Sequence, residues 1–328
     1  EKLDQFRIYA GDRIQYEFID PKAETNDEKQ EELERQLYKE GKGIQPLDYQ
    51  MMDKGDFSTN IYWPGASATY KGEKVSYLQF ISIKQIRANE DLTLMNNYIE
   101  NNLEYQLINA IHKIVRVEKK KIGFLQGHDE LTSDETQMVR AALQENYIVE
   151  DVTIDSKIGA LDLYDGIVIA QPKTAFNEKD KFVIDQFIMR GGRTMWFINP
   201  IEVNVDSLHG RGETYGLTRT LNIQDQLFKY GVRFNNELVL QENASYKYLP
   251  VDGRKIWKWP FYINLKPGVH SISQNIDPIK LDYASPIEFV GYDSTSRDTV
   301  LLTEEEAEYW KPPVRINLNI AMPELSPF

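Results

Sequence analysis

Residues 164–200 alternate apolar runs with turn chemistry in a way that predicts one strand–helix–strand unit. Ile167, Val168, Ile169 and Ala170 are a short apolar run of the kind a parallel sheet buries on both faces. Asn177 is placed to cap the next helix, and Glu178 and Asp180 bring negative charge to its positive end. Val183 with Phe187, and Ile184 with Ile188, are i,i+4 pairs on a broad apolar face, and Gly191 and Gly192 supply the stop. Met195, Trp196, Phe197 and Ile198 read as a second buried strand, closed by Asn199 and Pro200. Open α/β sheets hold ligands beyond the carboxyl ends of their strands. Here those ends carry Gln171-Pro172 and Asn199-Pro200, with no nucleophile and no general base.

The periodicity continues on both sides. Residues 121–125 and 148–154 read as strands, with a helix between them capped by Ser133 and carrying Met138, Val139, Ala142 and Leu143. Residues 221–230 read as a further helix, ended by Gly231. Strands alternating with helices imply parallel crossovers. Residues 89–237 are therefore expected to form a parallel α/β core, Rossmann-like or glutamine-amidotransferase-like. The longest helical pattern leads it: Leu92, Met95, Ile99, Leu103, Leu107, Ala110, Ile111 and Ile114 keep a 3.6-residue stripe across residues 89–119. That stripe lacks the sustained heptad and flanking charge pairs of a coiled coil, so packing on the following sheet is favoured over a partner seam.

Residues 1–88 open in an amphipathic helix (Leu3, Phe6), and residues 14–20 alternate as a strand stopped by Pro21. A charged helix capped by Asn26 follows, with Leu33 and Leu37 inward and Gly41 at its end. Strand-like runs at 47–52, 61–63, 66–71 and 75–83 come next, the last two joined by a hairpin turn at 71–74. This order predicts an N-terminally truncated thioredoxin-like α/β unit. Residues 238–328 change to short β-like runs rich in aromatics and prolines, predicting a β-rich extension packed on the core.

Charge and composition then remove whole classes of function. The chain has 328 residues with 38 basic against 51 acidic side chains, a formal net charge of −13. Such a surface repels nucleic acid, and the run Lys119-Lys120-Lys121 more simply complements a helix C-terminus. With no cysteine there is no disulfide, thiolate zinc site, C-x-x-C redox pair or amidotransferase thiol. The histidines His112, His128, His209 and His270 lack metal-ligand spacing, so neither metal nor cofactor is expected. No apolar run approaches the roughly 18–20 residues of a membrane span. Neither end reads as a natural terminus, so the chain is expected to be a soluble piece of a longer protein, which leaves open whether the parent is membrane-anchored.

Three patterns bear on chemistry or binding. His128-Asp129-Glu130 follows a strand's carboxyl end and can hold a cation or polar ligand, although a solvated loop is the favoured reading. Residues 210–216 are glycine-rich but match neither phosphate-loop spacing, which leaves a flexible surface loop. Tyr246, Tyr248, Trp257, Trp259, Phe261 and Tyr262 crowd together with Arg254, Lys255 and Lys258, a candidate interaction or ligand surface. Core packing competes for the same rings and is favoured, with at least one ring expected outside. The acidic run Glu304-Glu305-Glu306 reads as a solvated turn.

The run of residues 221–235, LNIQDQLFKYGVRFN, carries a family resemblance, supported by residues 187–196, 10–14, Pro286, 300–303 and 313–315. It resembles the GldG family, auxiliary, substrate-binding-like components of the gliding-motility ABC transporters of Bacteroidetes. The resemblance implies a large periplasmic region at the inner membrane. It also implies a permease partner, a cytoplasmic ATPase, and a link to gliding and type IX surface-protein secretion. The α/β part is similar to a domain shared with an intraflagellar-transport protein, where it serves assembly. No catalytic residues carry over. The expected function is thus a non-enzymatic scaffold or coupling domain, possible also as a homo-oligomer, with a module capturing a glycan, peptide or lipoprotein as the alternative. A hydrolase lacks its nucleophile and base.

Overall fold

The computed structural model describes residues 2–20, 27–38, 43–53, 56–72, 74–81, 92–116, 118–248, 256–274, 276–291, 297–303 and 306–318. Asn26, Gly41, Asn89, Arg254, Lys255, Glu304 and Glu305 lie outside the described residues. The chain divides into two compact units, residues 1–119 and 120–328.

In the first unit, α1 (Lys2–Ala10) runs into a 3-10 turn at Gly11–Arg13. Residues 14–20 are extended but form no ladder, and Phe18 is 86% exposed. The strand expected there is not formed, because alternation alone supplies no partner for the backbone. α2 (Asp27–Tyr38) keeps Leu33 and Leu37 half-buried. Two antiparallel hairpins follow, β1 (Leu47–Asp53) with β2 (Asp56–Tyr62) and β3 (Gly65–Tyr70) with β4 (Lys74–Gln79). Lys71 and Gly72 turn the second hairpin through left-handed conformations, φ 51° and 72°. The long helix α3 (Leu92–Val115) packs on β3 and β4, burying Ala110 and Ile114, while Leu78 of β4 is buried as well. It therefore groups with the hairpin that precedes it, and the division falls at 119/120 where the sequence suggested 88/89.

The second unit is built on a four-stranded parallel sheet in the order β6-β5-β7-β8: β5 (Lys121–Gln126), β6 (Ile148–Thr153), β7 (Gly166–Ala170) and β8 (Arg193–Phe197). Alternate residues of β5 and β7 face two cores. Leu125, Ile167 and Ile169 meet Val183, Ile184 and Phe187 of α5 (Glu178–Met189). Phe124, Val168 and Ala170 form the other layer with Leu143 of α4 (Gln137–Gln144). β7 is thus buried on both faces, as its apolar run predicts. β8 is not: Met195 and Phe197 are 57% and 49% exposed, because β8 is an edge strand and α4 lies against β6 at the far edge.

Two helix details also correct the sequence reading. The cap of α4 is Thr136, not Ser133, after a turn in which the backbone N–H and hydroxyl of Thr132 donate to Glu135 at 2.8 and 2.9 Å. Met138 and Val139 point outward, and Arg140 is the buried residue. Its guanidinium lies 4.0 Å from the centre of the Phe124 ring and donates to Asp151 at 2.6 Å. Apolar periodicity cannot anticipate an arginine whose stem and cation both pack inward. Helix α5 follows expectation: the Asn177 side chain accepts from the backbone of Lys179 and Asp180 at 3.0 and 2.9 Å. At its far end a β-carbon on Gly192 would lie 2.4 Å from the Phe187 ring. Gly192→Ala is expected to cost roughly 1–3 kcal/mol through this overpacking, read as a lower urea midpoint at unchanged slope.

Beyond β8 the fold becomes antiparallel. β9 (Ile201–Val203) and β10 (Glu213–Thr218) pair with each other, and β10 pairs with β20 (Val314–Asn317). The β-rich part therefore reaches back to Ile201. Residues 210–216 are not a loose loop. They end α6 (Val205–Arg211) at Gly212, φ 76°, and enter β10, where Gly216 packs against Leu238 and Ile201. The short helix α7 (Gln224–Lys229) precedes β11 (Val232–Phe234). The remaining ladders are β11 with β17 (Ile287–Phe289), β12 (Leu238–Leu240) with β19 (Glu308–Trp310), and β13 (Tyr246–Tyr248) with β14 (Ile256–Lys258). β15 (Tyr262–Pro267) lies between β16 (Ile279–Asp282) and β18 (Leu301–Leu302).

Candidate functional site

The strand order puts β5 and β7 at the topological switch point, where the loops leaving their carboxyl ends diverge. The crevice is occupied by the protein's own side chains. His128, two residues past β5, is 5% exposed, and its carbonyl accepts from the backbone N–H of Lys173 and Thr174 at 2.8 and 3.0 Å, which ties down the loop after β7. Its backbone N–H donates to Glu130 at 2.7 Å. The imidazole stacks on Phe176 with centres 3.8 Å apart and planes 18° from parallel. Nδ1 lies 3.1 Å from Glu130 Oε1, and Nε2 lies 3.2 Å from Asp180 Oδ2.

Asp180 stands in the first turn of α5 and is itself 5% exposed. Its Oδ1 accepts from the backbone N–H and hydroxyl of Ser156 at 2.9 and 3.2 Å, and its Oδ2 accepts from the Asn177 amide at 2.8 Å. The loops after β5 and β6 and the start of α5 thus meet at one buried imidazole with a carboxylate on each side. Burial by itself pulls the imidazole pKa down, but the hydrogen bonds and charges of Glu130 and Asp180 outweigh it and hold the pKa above the ordinary 6.5.

The chemistry open to this cluster is narrow. The Ser156 hydroxyl donates to Asp180 and is not activated by the imidazole. Glu130 and Asp180 occupy opposite ring nitrogens, so no point is shared by all three as ligands, and among the described residues no group of three or more His, Asp or Glu forms a metal site. The arrangement binds three chain segments to one another. Around it each of β5, β6 and β7 leaves through left-handed backbone: Gly127 (φ 129°) and Asp129 (54°), Asp155 (47°) and Ser156 (56°), and Gln171 (50°). Four of these are not glycine, a strained conformation that persists only where surrounding contacts impose it.

The solvated loop expected at His128-Asp129-Glu130 is therefore corrected: only Asp129 is exposed. Asp180 escaped sequence reasoning as a partner because it lies 52 residues from His128 and already had a local role at the helix terminus. The aromatic candidates divide. Trp259 and Phe261 are fully buried and Tyr262 is 8% exposed, so these three are core and not surface. They pack with Tyr283, Ile201, Leu208 and Val314, and Trp259 Nε1 donates to the Tyr283 hydroxyl at 3.2 Å. Burial raises the Tyr283 pKa to about 12. The backbones of Tyr246, Tyr248 and Trp257 lie in the β13–β14 hairpin, and their side chains lie outside the described residues.

Residues 221–235 clasp α5 and so support the site from behind. Leu221 and Ile223 are fully buried. Asn222, at φ 55°, donates to the Phe176 carbonyl at 2.8 Å and so holds the residue on which His128 stacks. Asp225 pairs with the buried Lys181 at 2.8 Å. The Tyr230 hydroxyl donates to Asp185 at 2.6 Å, its pKa pushed up to about 12 by burial and then by that carboxylate. Two open clefts lie elsewhere. One of about 470 Å³ sits at the amino ends of β5, β7 and β8 and is lined by Lys120, Asp162, Asp165, Arg190 and Arg193. A groove of about 450 Å³ in the first unit is lined by Glu31, Glu34, Tyr38, Pro46, Ile61 and Trp63.

Fold and site thus define a mixed α/β protein whose switch point is closed by its own buried polar cluster. The family described as an ABC-type uncharacterized transport system matches residues 119–328, and the chain belongs to that family of ABC-transport auxiliary proteins. A domain of unknown function matches residues 1–69. An uncharacterized protein of Borreliella burgdorferi is 23% identical over 217 residues, covering 64% of this chain and 42% of that protein, so the chain spans less than half of this relative's length. The solved mmIFT52 N-terminal domain aligns with 52% of this chain and 68% of its own length at 16% identity and a TM-score of 0.39. Family membership supports a role accessory to an ABC transporter. Among the described residues no helix is long and apolar enough to cross a membrane.

Proposed function

We propose that this chain is a non-enzymatic, extracytoplasmic scaffold or coupling domain of an ABC transporter, acting through contacts with the permease subunit and, through it, the cytoplasmic ATPase. Membership of the transport-auxiliary family over residues 119–328 carries this reading. The closed switch point agrees with it, since the crevice where an α/β enzyme holds its substrate is filled by His128, Glu130 and Asp180. The finer assignment is GldG-like, with gliding motility and type IX secretion as the process and the periplasmic side of the inner membrane as the location. It rests on the resemblance of residues 221–235, whereas the thioredoxin-like description of residues 1–88 and the Rossmann-like description of residues 89–237 rest on the order of the expected helices and strands.

Affinity capture of the tagged full-length protein from native membranes tests the reading. Stoichiometric recovery of a permease and an ATPase is expected. Recovery of the protein alone, in detergents that preserve other transporters, would reject it. Within it, Tyr246, Tyr248 and Trp257 on the β13–β14 hairpin remain the proposed contact residues. Trp257→Ala is expected to lower permease recovery at least tenfold while leaving the melting temperature within about 2 °C.

A second reading, a module that captures a glycan, peptide or lipoprotein, draws on the cleft where Lys120, Arg190 and Arg193 stand with Asp162 and Asp165. Selective binding to the folded state would raise the melting temperature with ligand concentration. A flat response across glycans, peptides and lipoproteins would remove it.

A further inference from the structure

We propose that His128, Glu130 and Asp180 form a proton-operated latch that locks the loops leaving β5 and β6 to the start of α5. The geometry sets the condition for closure. Nδ1 and Nε2 each face a carboxylate oxygen, at 3.1 and 3.2 Å. A neutral imidazole has one N–H and one lone pair, so it can donate to only one of them. The other carboxylate then meets a lone pair at contact distance, in a site where His128, Glu130 and Asp180 are each at most 5% exposed. With the proton, both nitrogens donate and both carboxylates are bridged.

The charged groups around the ring leave this proton no substitute. Glu130 faces it from its own loop and Asp180 from α5, while Phe176 covers one face. Lys181, next to Asp180 in sequence, is committed to Asp225 and Glu178. Lys173 exerts its charge on Glu135, and Lys157 pairs with Asp155 at 3.7 Å. One imidazolium between two carboxylates leaves a net charge of −1; its deprotonation leaves −2 in a buried site.

What the latch holds is specific. Asp180 Oδ1 is the acceptor for both the backbone N–H and the hydroxyl of Ser156, and Asp155 and Ser156 are consecutive left-handed residues. Release of Asp180 from the ring loosens the grip on that strained turn, which relaxes toward ordinary backbone. The carboxyl-end rim is therefore closed below the His128 midpoint, which is raised above 6.5, and opens as pH rises through it.

Hydrogen exchange on the full chain, paired with an NMR titration of the His128 imidazole, tests this. After correction for the intrinsic rate, protection of the Ser156 amide is expected to fall at least tenfold across the His128 midpoint, while amides within β7 keep theirs. Protection that stays flat through the midpoint, or a midpoint at or below 6.5, overturns the latch. In His128→Gln, whose side-chain amide donates without titrating, the pH step in Ser156 protection should vanish; a step that persists also overturns it. If that variant fails to fold, the wild-type titration decides alone.

Discussion

Replacing Asp180 with alanine lowers the stability of the second unit by roughly 3–5 kcal/mol, the usual cost of removing one partner from a buried ion pair. For a unit of this size that is about 10 °C in melting temperature. The loss is large because one side chain serves several groups: His128 Nε2, the backbone N–H and hydroxyl of Ser156, and the Asn177 amide. Without it the buried His128 Nε2 loses this carboxylate and carries a desolvation cost, and the half-buried Ser156 and the Asn177 amide lose their acceptor. The deficit also depends on pH, with a sign that follows from linkage. His128 has a folded-state pKa raised above 6.5, so its contribution is fully present below that value and disappears as pH rises through the folded-state pKa. Asp180→Ala should therefore differ most from wild type near pH 6 and least at alkaline pH. Thermal denaturation of both proteins across that range measures it. A deficit that is constant with pH would assign the effect to the helix cap and the Ser156 turn alone.

Trp259→Ala is expected to be about as damaging, at roughly 3–5 kcal/mol for a fully buried aromatic. The ring lies 5.8 Å from Phe261, and its N–H donates to the Tyr283 hydroxyl, a hydrogen bond that would be lost along with the packing. Trp259→Phe keeps most of the apolar area and should lose less than half as much. Urea titration separates the two, with a lower midpoint and an unchanged slope for each. The contrast with Trp257 is informative: one substitution should act on stability and the other on permease recovery. A Trp259→Ala protein as stable as wild type would mean that this ring is not core.

The pattern along residues 164–200 made the strand–helix–strand unit legible, and Asn177 caps its helix as the residue types indicate. Helix α3 was equally legible, since its stripe runs unbroken over 24 residues. What α3 packs against was not, because a stripe records that a face is buried and leaves its partner open. The edge position of β8 was hidden for a similar reason. Met195 and Phe197 read as buried because apolar, but burial depends on whether a second helix covers that half of the sheet. Arg140 and Gly216 went unseen because neither is apolar in the sense periodicity counts, although both sit in packed surroundings.

Local order between residues 121 and 200 came from the sequence by itself: its helices and strands and the alternation that makes the sheet parallel, together with the absence of thiol chemistry. These depend on interactions within a few residues, where residue type and spacing are sufficient. The candidate site came only from the tertiary structure. His128 and Glu130 are neighbours in the chain, but Asp180 joins them only once β5 and β7 pair and carry the start of α5 to the switch point. A separate core, with Ile201, Leu208, Tyr283 and Val314, moved Trp259 and Phe261 from a possible surface to the interior. Burial and long-range pairing are properties of the assembled layers, and they decide whether an ionisable cluster is a solvated loop or the node that holds three segments together.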